Sequence, residues 1–294
     1  MDGITPQLIG LQLFTGLALG AVYVLLAVGL SLIFGMLTVV NFAHGAFFMV
    51  GAYAGYALYR IVPNFWLCLV LVPVVVGLFG MLVERTLVRP LYGRGVDYPL
   101  LLTFGLAYVM IETVRIVFGK QGMPVDAPAL LEGSANILVG KFPLYRLFVI
   151  GVTVALLIGL WLFIEKTSFG LIVRAGARDP QIVRILGIDV GRVWLIVFGL
   201  GTGVAGLAGF LAAPVQGISP EMGGSVLTVA FVVTVVGGMG SLVGAVVAGI
   251  LIGIVESMAV LFVPEAAKVS MFVIMVLVLL VRPQGLFGRA GLMN

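Results

Sequence analysis

Few side chains in this 294-residue sequence could perform acid–base or metal chemistry, and they are scattered along it. The chain has one histidine, His44, and one cysteine, Cys68, too few for a zinc site or an internal disulfide. It contains no H-E-x-x-H or G-x-S-x-G motif and no G-x-x-x-x-G-K-[ST] phosphate loop. We therefore expect no catalytic residue, no metal site and no cofactor bound by this chain. If the protein works against a gradient, ATP must be handled by another chain.

The composition explains why polar chemistry is so sparse. Hydrophobic residues make up 62% of the chain and charged residues 10%, whereas soluble domains have roughly a quarter charged residues. Residues 8–59 contain no charged side chain, and between 222 and 263 only Glu256 is charged. Each stretch is long enough for two spans of about 20 residues. The sequence predicts an all-α, polytopic membrane protein, and its basic charge gives no reason to expect a nucleic-acid partner.

Glycine and proline between the apolar runs predict eight or nine spans, the uncertain one being the short 222–237 segment. The predicted spans are 8–34, 36–59, 66–88, 98–118, 144–164, 192–213, 222–237, 241–263 and 266–282. Basic residues cluster after the third, fifth and last spans, which predicts that those segments are cytoplasmic. The N-terminus would then lie outside and the C-terminus inside. Residues 119–143 would form an external loop and 165–191 a cytoplasmic one, within a single transmembrane domain covering 1–294.

Two segments read as interrupted helices, one in each half of the chain. Residues 38–55, "TVVNFAHGAFFMVGAYAG", and 234–249, "TVVGGMGSLVGAVVAG", both place a polar or glycine-rich break before a small-residue helix. Paired breaks of this kind indicate a transport site, because unwound backbone in a membrane must line a cavity or be buried. The residues predicted to line a substrate pathway are Asn41, His44, Gly45, Thr103, Thr228 and Gly240.

The intramembrane ionisable groups allow more than one interpretation. His44 could serve the pathway, or only hydrogen-bond to a neighbouring helix or lie in a cytoplasmic turn. Glu112 and Arg115 are three residues apart and are expected to neutralise each other. Glu256 has no basic neighbour in sequence, and its role stays open.

Residues 165–192 hold eight charged side chains, an unusual density for this chain. Asp179 followed by Pro180 predicts a helix start, and Gly187 predicts its end. Ile182, Ile185 and Leu186 then share one face of a helix roughly 10 Å long. A two-turn helix is unstable alone in water, so it must dock on the membrane surface or in a partner's groove. The absence of a phosphate loop favours the partner.

Four motifs in order carry a family resemblance: "NFAHGAFFMVGAY" (41–53), "RAGARDPQIVRILGID" (174–189), "GGMGSLVGA" (237–245) and "RPQGLFG" (282–288). The chain resembles the shorter, H-type permease of the branched-chain amino acid ABC importer family. The resemblance implies a bacterial inner-membrane complex with a second related permease, two ATPases that hold ATP and Mg, and a periplasmic binding protein. It also implies a coupling segment that includes Arg174, Arg178, Asp179, Arg184, Ile185, Leu186 and Gly187.

The substrate class is not fixed by these motifs. Urea and short-amide importers of the same family share them, and no residue excludes such a substrate. An ATP-independent secondary transporter or channel is the other alternative. It would usually need intramembrane carboxylates for ion coupling, and Glu112 and Glu256 are the candidates.

Overall fold

The computed structural model describes residues 5–37, 40–95, 97–137 and 139–288. Within these ranges the fold is almost entirely helical. Its helices are α1 (Pro6–Leu37), α2 (His44–Ile61), α3 (Phe65–Val83), α4 (Asp97–Phe118), α5 (Leu144–Lys166), α6 (Ser168–Arg178), α7 (Pro180–Ile185), α8 (Val190–Gln216), α9 (Met222–Gly237), α10 (Leu242–Phe262) and α11 (Val269–Val281). A short antiparallel hairpin, β1 (Ser134–Ile137) and β2 (Gly140–Pro143), lies in the predicted external loop.

The all-α membrane fold is confirmed, although not every predicted span is a long helix. In the described ranges six helices are long and apolar enough to cross a membrane: α1, α3 with its continuation to Leu91, α4, α5, α8 and α10. The other three predicted spans correspond to α2, α9 and α11, with 18, 16 and 13 residues. The predicted span 36–59 is wrong at its start, because α1 continues to Leu37 and α2 begins only at His44.

The segments that connect the helices contact one another at two opposite ends of the bundle. We call these the inner end and the outer end. The six long helices run from one end to the other, whereas α2 and α9 both begin inside the bundle, where Gly45 of α2 packs against Gly223 of α9. The predicted membrane crossing by 222–237 stays a prediction. Which end faces the cytoplasm stays a prediction from the basic residues, of which Arg289 lies outside the described residues. The inner-end contacts are Gly35 with Gly240, Arg89 with Gly191 and Gly238 with Gly288; the outer-end contacts are Met123 with Ile218 and Gly10 with Val139.

Helices α1 and α8 form the centre of the bundle, and small residues let their neighbours approach them closely. A Cβ atom added at Gly51 of α2 would lie 2.1 Å from the carbonyl oxygen of Gly206 in α8. One added at Gly209 would lie 1.9 Å from the carbonyl oxygen of Phe48. Close backbone approach of this kind stabilises helix pairs in lipid, where hydrophobic exclusion between helices is weak. The glycine-rich runs are therefore packing seams.

Candidate functional site

The first helix break is buried, and side chains satisfy its backbone. Asn41 and Ala43 are inaccessible to solvent, and the amide of Ala43 donates to Asn41 Oδ1 over 3.1 Å. The amide of Phe42 donates to the hydroxyl of Thr103 in α4, also over 3.1 Å. Because every buried amide needs an acceptor in a membrane, Asn41 and Thr103 are what allow the chain to unwind before α2. The "Thr-Val-Val" lead of this break lies partly outside the described residues.

His44 links α2 to α1 deep in the bundle. Its ring is fully buried, and Nε2 lies 3.0 Å from the carbonyl oxygen of Leu26, to which it donates. Leu26 precedes the end of α1 by eleven residues, or roughly 16 Å along the axis, so α2 starts well inside the membrane. This geometry favours the interpretation of His44 as a hydrogen-bonding group between helices over a place in a cytoplasmic turn.

The two glycines predicted for the pathway are packed against other backbone. A Cβ at Gly45 would lie 2.0 Å from the carbonyl oxygen of Gly223, at the start of α9. Gly240 has a positive φ of 79° and lies at the inner end, where its Cβ would meet Gly35 at 3.0 Å. The six predicted pathway residues therefore do not share one lining: Thr228 is exposed on α9, Gly240 is partly exposed and the other four are buried.

Helices α4 and α9 are both neighbours of α2. Helix α2 packs against both, whereas α4 and α9 pack little against each other. At the inner limit the ring of Phe42 packs against those of Phe104 in α4 and Phe231 in α9. The distances between ring centroids are 6.2 and 5.1 Å. At the outer limit Arg115 Nη2 donates to Glu221 Oε1 over 2.9 Å. Ten or eleven residues of each helix separate these contacts, roughly 15 Å. We call the surface of α4, α2 and α9 between the Phe42 contacts and the Arg115–Glu221 bond the α4–α9 groove.

The surface along this groove is polar. Gly224, Ser225 and Thr228 are exposed on α9, and Tyr108 and Glu112 are exposed on α4. By contrast, among the described residues the exposed middle parts of α3, α5, α10 and α11 carry only apolar side chains, alanine and glycine. Polar groups at membrane depth face water or protein rather than lipid. The α4–α9 groove is thus the part of the described surface best suited to a polar solute or a partner.

Sequence reasoning missed Glu221 and the aromatic contacts of Phe42. A signal for Glu221 existed, since it is the only charged residue between Arg192 and Glu256. No local pattern announces that Phe42 touches residues 62 and 189 positions away in the chain.

Glu256 lies outside the groove, between α1 and α10. It is buried, and the hydroxyl of Tyr23 donates to its Oε2 over 2.8 Å. Nearby, Gln12 Nε2 donates to the carbonyl oxygen of Ser257 over 2.7 Å, and the Ser257 hydroxyl donates to the carbonyl oxygen of Gln12 over 2.8 Å. These polar bonds join the first and tenth helices.

The inner-end segment folds as predicted around Asp179. Its Oδ1 accepts the amides of Gln181 and Ile182 at 2.9 and 3.1 Å, and Gly187, with φ of 79°, follows the helix. Helix α6 before it was not predicted, although Phe169, Ile172 and Val173 have helical spacing. Thr167 caps α6 by accepting the amide of Gly170 at 3.0 Å.

Helix α7 turns its apolar stripe away from the protein. Val183 is 2% exposed and anchors the helix, whereas Ile182, Ile185 and Leu186 are 56%, 84% and 71% exposed. Around this stripe, Arg184 lies over the Trp194 ring at 5.6 Å.

The other predicted coupling arginines differ in their partners. Arg174 is paired with Glu165, and Arg178 is exposed at the end of α6. The seven predicted coupling residues thus lie together at one end of the bundle.

Comparisons with known proteins agree on one family. The sequence profile described as "Branched-chain amino acid transport system / permease component" matches residues 12–281. The chain is 31% identical to the branched-chain amino acid permease protein BraD of Pseudomonas aeruginosa and 30% identical to LivH of Escherichia coli, over 95% of each chain. It is 28% identical to Escherichia coli LivM over 90% of this chain and 67% of that one.

Among solved structures, PsaBC from Streptococcus pneumoniae in complex with Fab has a similar structure. The match includes 91% of this chain and 89% of that one. That likeness has a TM-score of 0.49 and 13% identity. The profile match spans most of the chain, as do the matches to LivH and BraD. The chain therefore belongs to the branched-chain amino acid transport permease family and is a transport subunit of the shorter, H type rather than an enzyme.

Proposed function

We propose that this chain is the membrane subunit of an ATP-driven importer for branched-chain or other apolar amino acids, and that α7 receives the movement of a partner ATPase. The observation that carries the coupling role is the exposed stripe of Ile182, Ile185 and Leu186, on a helix held to the bundle by Val183. Three large apolar side chains at a cytoplasmic surface cost free energy unless a partner covers them.

Charge around the stripe suits a protein groove with an acidic rim. Arg178 is exposed one residue before the Asp179 cap, and Arg184 projects from α7 over Trp194. ATP and Mg would be held by the two ATPase subunits, and a second related permease and a periplasmic binding protein would complete the complex. This assembly would lie in the bacterial inner membrane, with the inner end of the bundle toward the cytoplasm.

The α4–α9 groove supports an amino acid with an aliphatic side chain over urea as the substrate. Its inner limit is formed by Phe42, Phe104 and Phe231, which offer an apolar surface. Thr228 and Tyr108, both exposed, lie about two-thirds of the way from the outer limit to the inner one. Few charges along the route would keep binding weak enough for release.

The coupling role is tested by changing the stripe without unfolding the permease. In the reconstituted complex, Ile185→Asp with Leu186→Asp should abolish uptake and uncouple ATP hydrolysis from it, while the permease stays inserted. The matched control is Asp179→Ala, which removes a cap worth about 1 kcal/mol and leaves the stripe intact, so most coupling should remain. Normal uptake by the double variant would refute a buried contact at α7. ATP-independent uptake by the permease alone would support a secondary transporter instead.

A further inference from the structure

Arg115 holds two carboxylates at the outer limit of the α4–α9 groove. It bonds to Glu112, one turn earlier on α4, and to Glu221 at the start of α9. The side chains of Arg115, Glu112 and Glu221 are 31%, 54% and 59% exposed, so none of the three is enclosed by this chain. We call these three residues the outer triad.

The position of the outer triad argues for more than a surface ion pair. Glu221 begins the row that continues along α9 as Gly224, Ser225 and Thr228, at spacings of three, four and seven residues. Residues so spaced lie on one side of a helix. The charges therefore stand at the outer end of the same polar surface that runs down the groove.

A second polar group lies near the triad without a partner. Tyr53 of α2 is 2% exposed, and its hydroxyl makes no hydrogen bond. The Tyr53 hydroxyl is close enough to Glu221 to interact with it electrostatically. The centroid of the Tyr53 ring lies 4.9 Å from that of Phe118. A buried hydroxyl without a partner costs free energy, and a bound polar group near Glu221 could supply the missing partner.

We propose that the outer triad is the entry site of the pathway and that it recognises the ammonium and carboxylate groups of a zwitterionic amino acid. This inference rests on the proposed function. A zwitterion can replace both ends of the Arg115–Glu221 pair: its ammonium donates to Glu221 while its carboxylate accepts from Arg115. Arg115 keeps Glu112 as a partner during the exchange, so no charge is left without a counter-charge.

The rest of the groove fits such a solute. With the charged groups held at the triad, the side chain of the amino acid points inward, toward Tyr108 and Thr228, which lie roughly 10 Å further along their helices. The aromatic contacts of Phe42 close the groove roughly 15 Å further in. The groove thus offers charge at one end and an apolar surface at the other, in the order in which an entering amino acid would need them.

The test separates recognition from a merely structural clamp between α4 and α9. In the reconstituted complex of both permeases, the ATPases and the binding protein, Arg115→Met is combined with Glu221→Leu. An exposed ion pair contributes about 0–1 kcal/mol, so an apolar pair that keeps the two helices in contact should cost little stability. We expect leucine uptake to fall at least about tenfold, as the loss of charge-assisted hydrogen bonds predicts. Thermal stability and the stimulation of ATP hydrolysis by loaded binding protein should be retained.

Two further variants keep the result decisive. Glu221→Gln retains a hydrogen-bonding side chain and should give an intermediate loss of uptake even if the double variant fails to assemble. Glu265→Gln removes an exposed carboxylate from the same end of the bundle, away from the groove, and should leave uptake unchanged. Uptake within twofold of the unmodified complex in the assembled double variant, or in Glu221→Gln, would overturn the inference while leaving the proposed function intact. Absence of branched-chain amino acid uptake by the unmodified complex would overturn the proposed function, and this inference with it.

Discussion

The two helix breaks look alike in sequence but are held by different means. Residues 40–43 are stabilised by the side chains of Asn41 and Thr103, deep in the bundle. Residues 238–241 lie at the inner end and are stabilised by backbone: Gly238 and Gly240 adopt positive φ values of 100° and 79°.

The C-terminal segment completes the second break. The amides of Leu286 and Phe287 donate to the carbonyl oxygens of Val236 and Gly237 at 2.8 and 3.0 Å. These carbonyls belong to the last turn of α9, which otherwise lacks partners for them. The motif "RPQGLFG" is therefore part of the second break. The difference teaches that a shared outline can reflect two separate solutions to the problem of ending a helix in a membrane.

The largest effect should come from Gly238. Its φ of 100° disfavours any other residue, and an added Cβ would lie 2.3 Å from the amide nitrogen of Gly288. We expect Gly238→Ala to lower the free energy of unfolding by about 3 kcal/mol, since strain and overlap combine. Gly133, with φ of 108° and open space around it, is the control: Gly133→Ala should cost only about 1 kcal/mol. Equal losses in thermal unfolding of the two variants would show that docking of the C-terminal segment contributes nothing.

Asn41→Ala should have the next largest effect. It removes the acceptor of a buried amide, which costs about 2 kcal/mol in the interior. Asn64 caps α3 in the same way, accepting the amide of Leu67 at 3.1 Å, but it is exposed. Asn64→Ala should cost about 1 kcal/mol or less, because water replaces the lost acceptor. If denaturation midpoints fell equally in both variants, the first break would not be buried from water as described.

Thr103→Val should cost about 1 kcal/mol, because the shape is kept while the acceptor of the Phe42 amide is lost. Thr113 in the same helix bonds only to Val109 of its own preceding turn and is exposed. Thr113→Val should therefore be nearly neutral. A neutral Thr103→Val in the same unfolding measurement would remove α4 from the support of the first break.

Ser241→Ala should have the smallest effect. Ser241 accepts the amide of Gly244 at 3.1 Å and caps α10, in a partly exposed position. The expected loss is about 0.5–1 kcal/mol. A loss above that of Asn41→Ala would reverse the ranking and mean that side chains, rather than glycine backbone, hold the second break.

Local signals in the sequence predicted most helices and their ends. Long apolar runs with few charges gave the position of α1, α4 and α8 within a few residues, because lipid admits few charges over that length. Asp179, Pro180 and Gly187 predicted α7, because caps act within one turn. Each of these signals depends on residues close together in the chain.

The groove depends on contacts that no local signal contains. Glu221 meets Arg115 across 106 residues, and His44 meets Leu26 only because α2 starts inside the bundle. Gly45 illustrates the limit: the sequence suggested an opening beside it, whereas the structure fills that space with Gly223 of α9. Which small residue packs and which lines a passage is decided by helix pairing.

The pairing of the first helix with the tenth has a consequence for synthesis of the protein. Tyr23 and Glu256 are 233 residues apart, and Gln12 and Ser257 are 245 apart. At roughly 5–20 residues per second, a ribosome needs about 10–50 s to produce the partner of a side chain already in the membrane. During that time the amide of Gln12 and the hydroxyl of Tyr23 must find substitutes, in water or in the insertion machinery. The nascent chain therefore has to keep its first helix in a protected place until nearly the last helix has emerged.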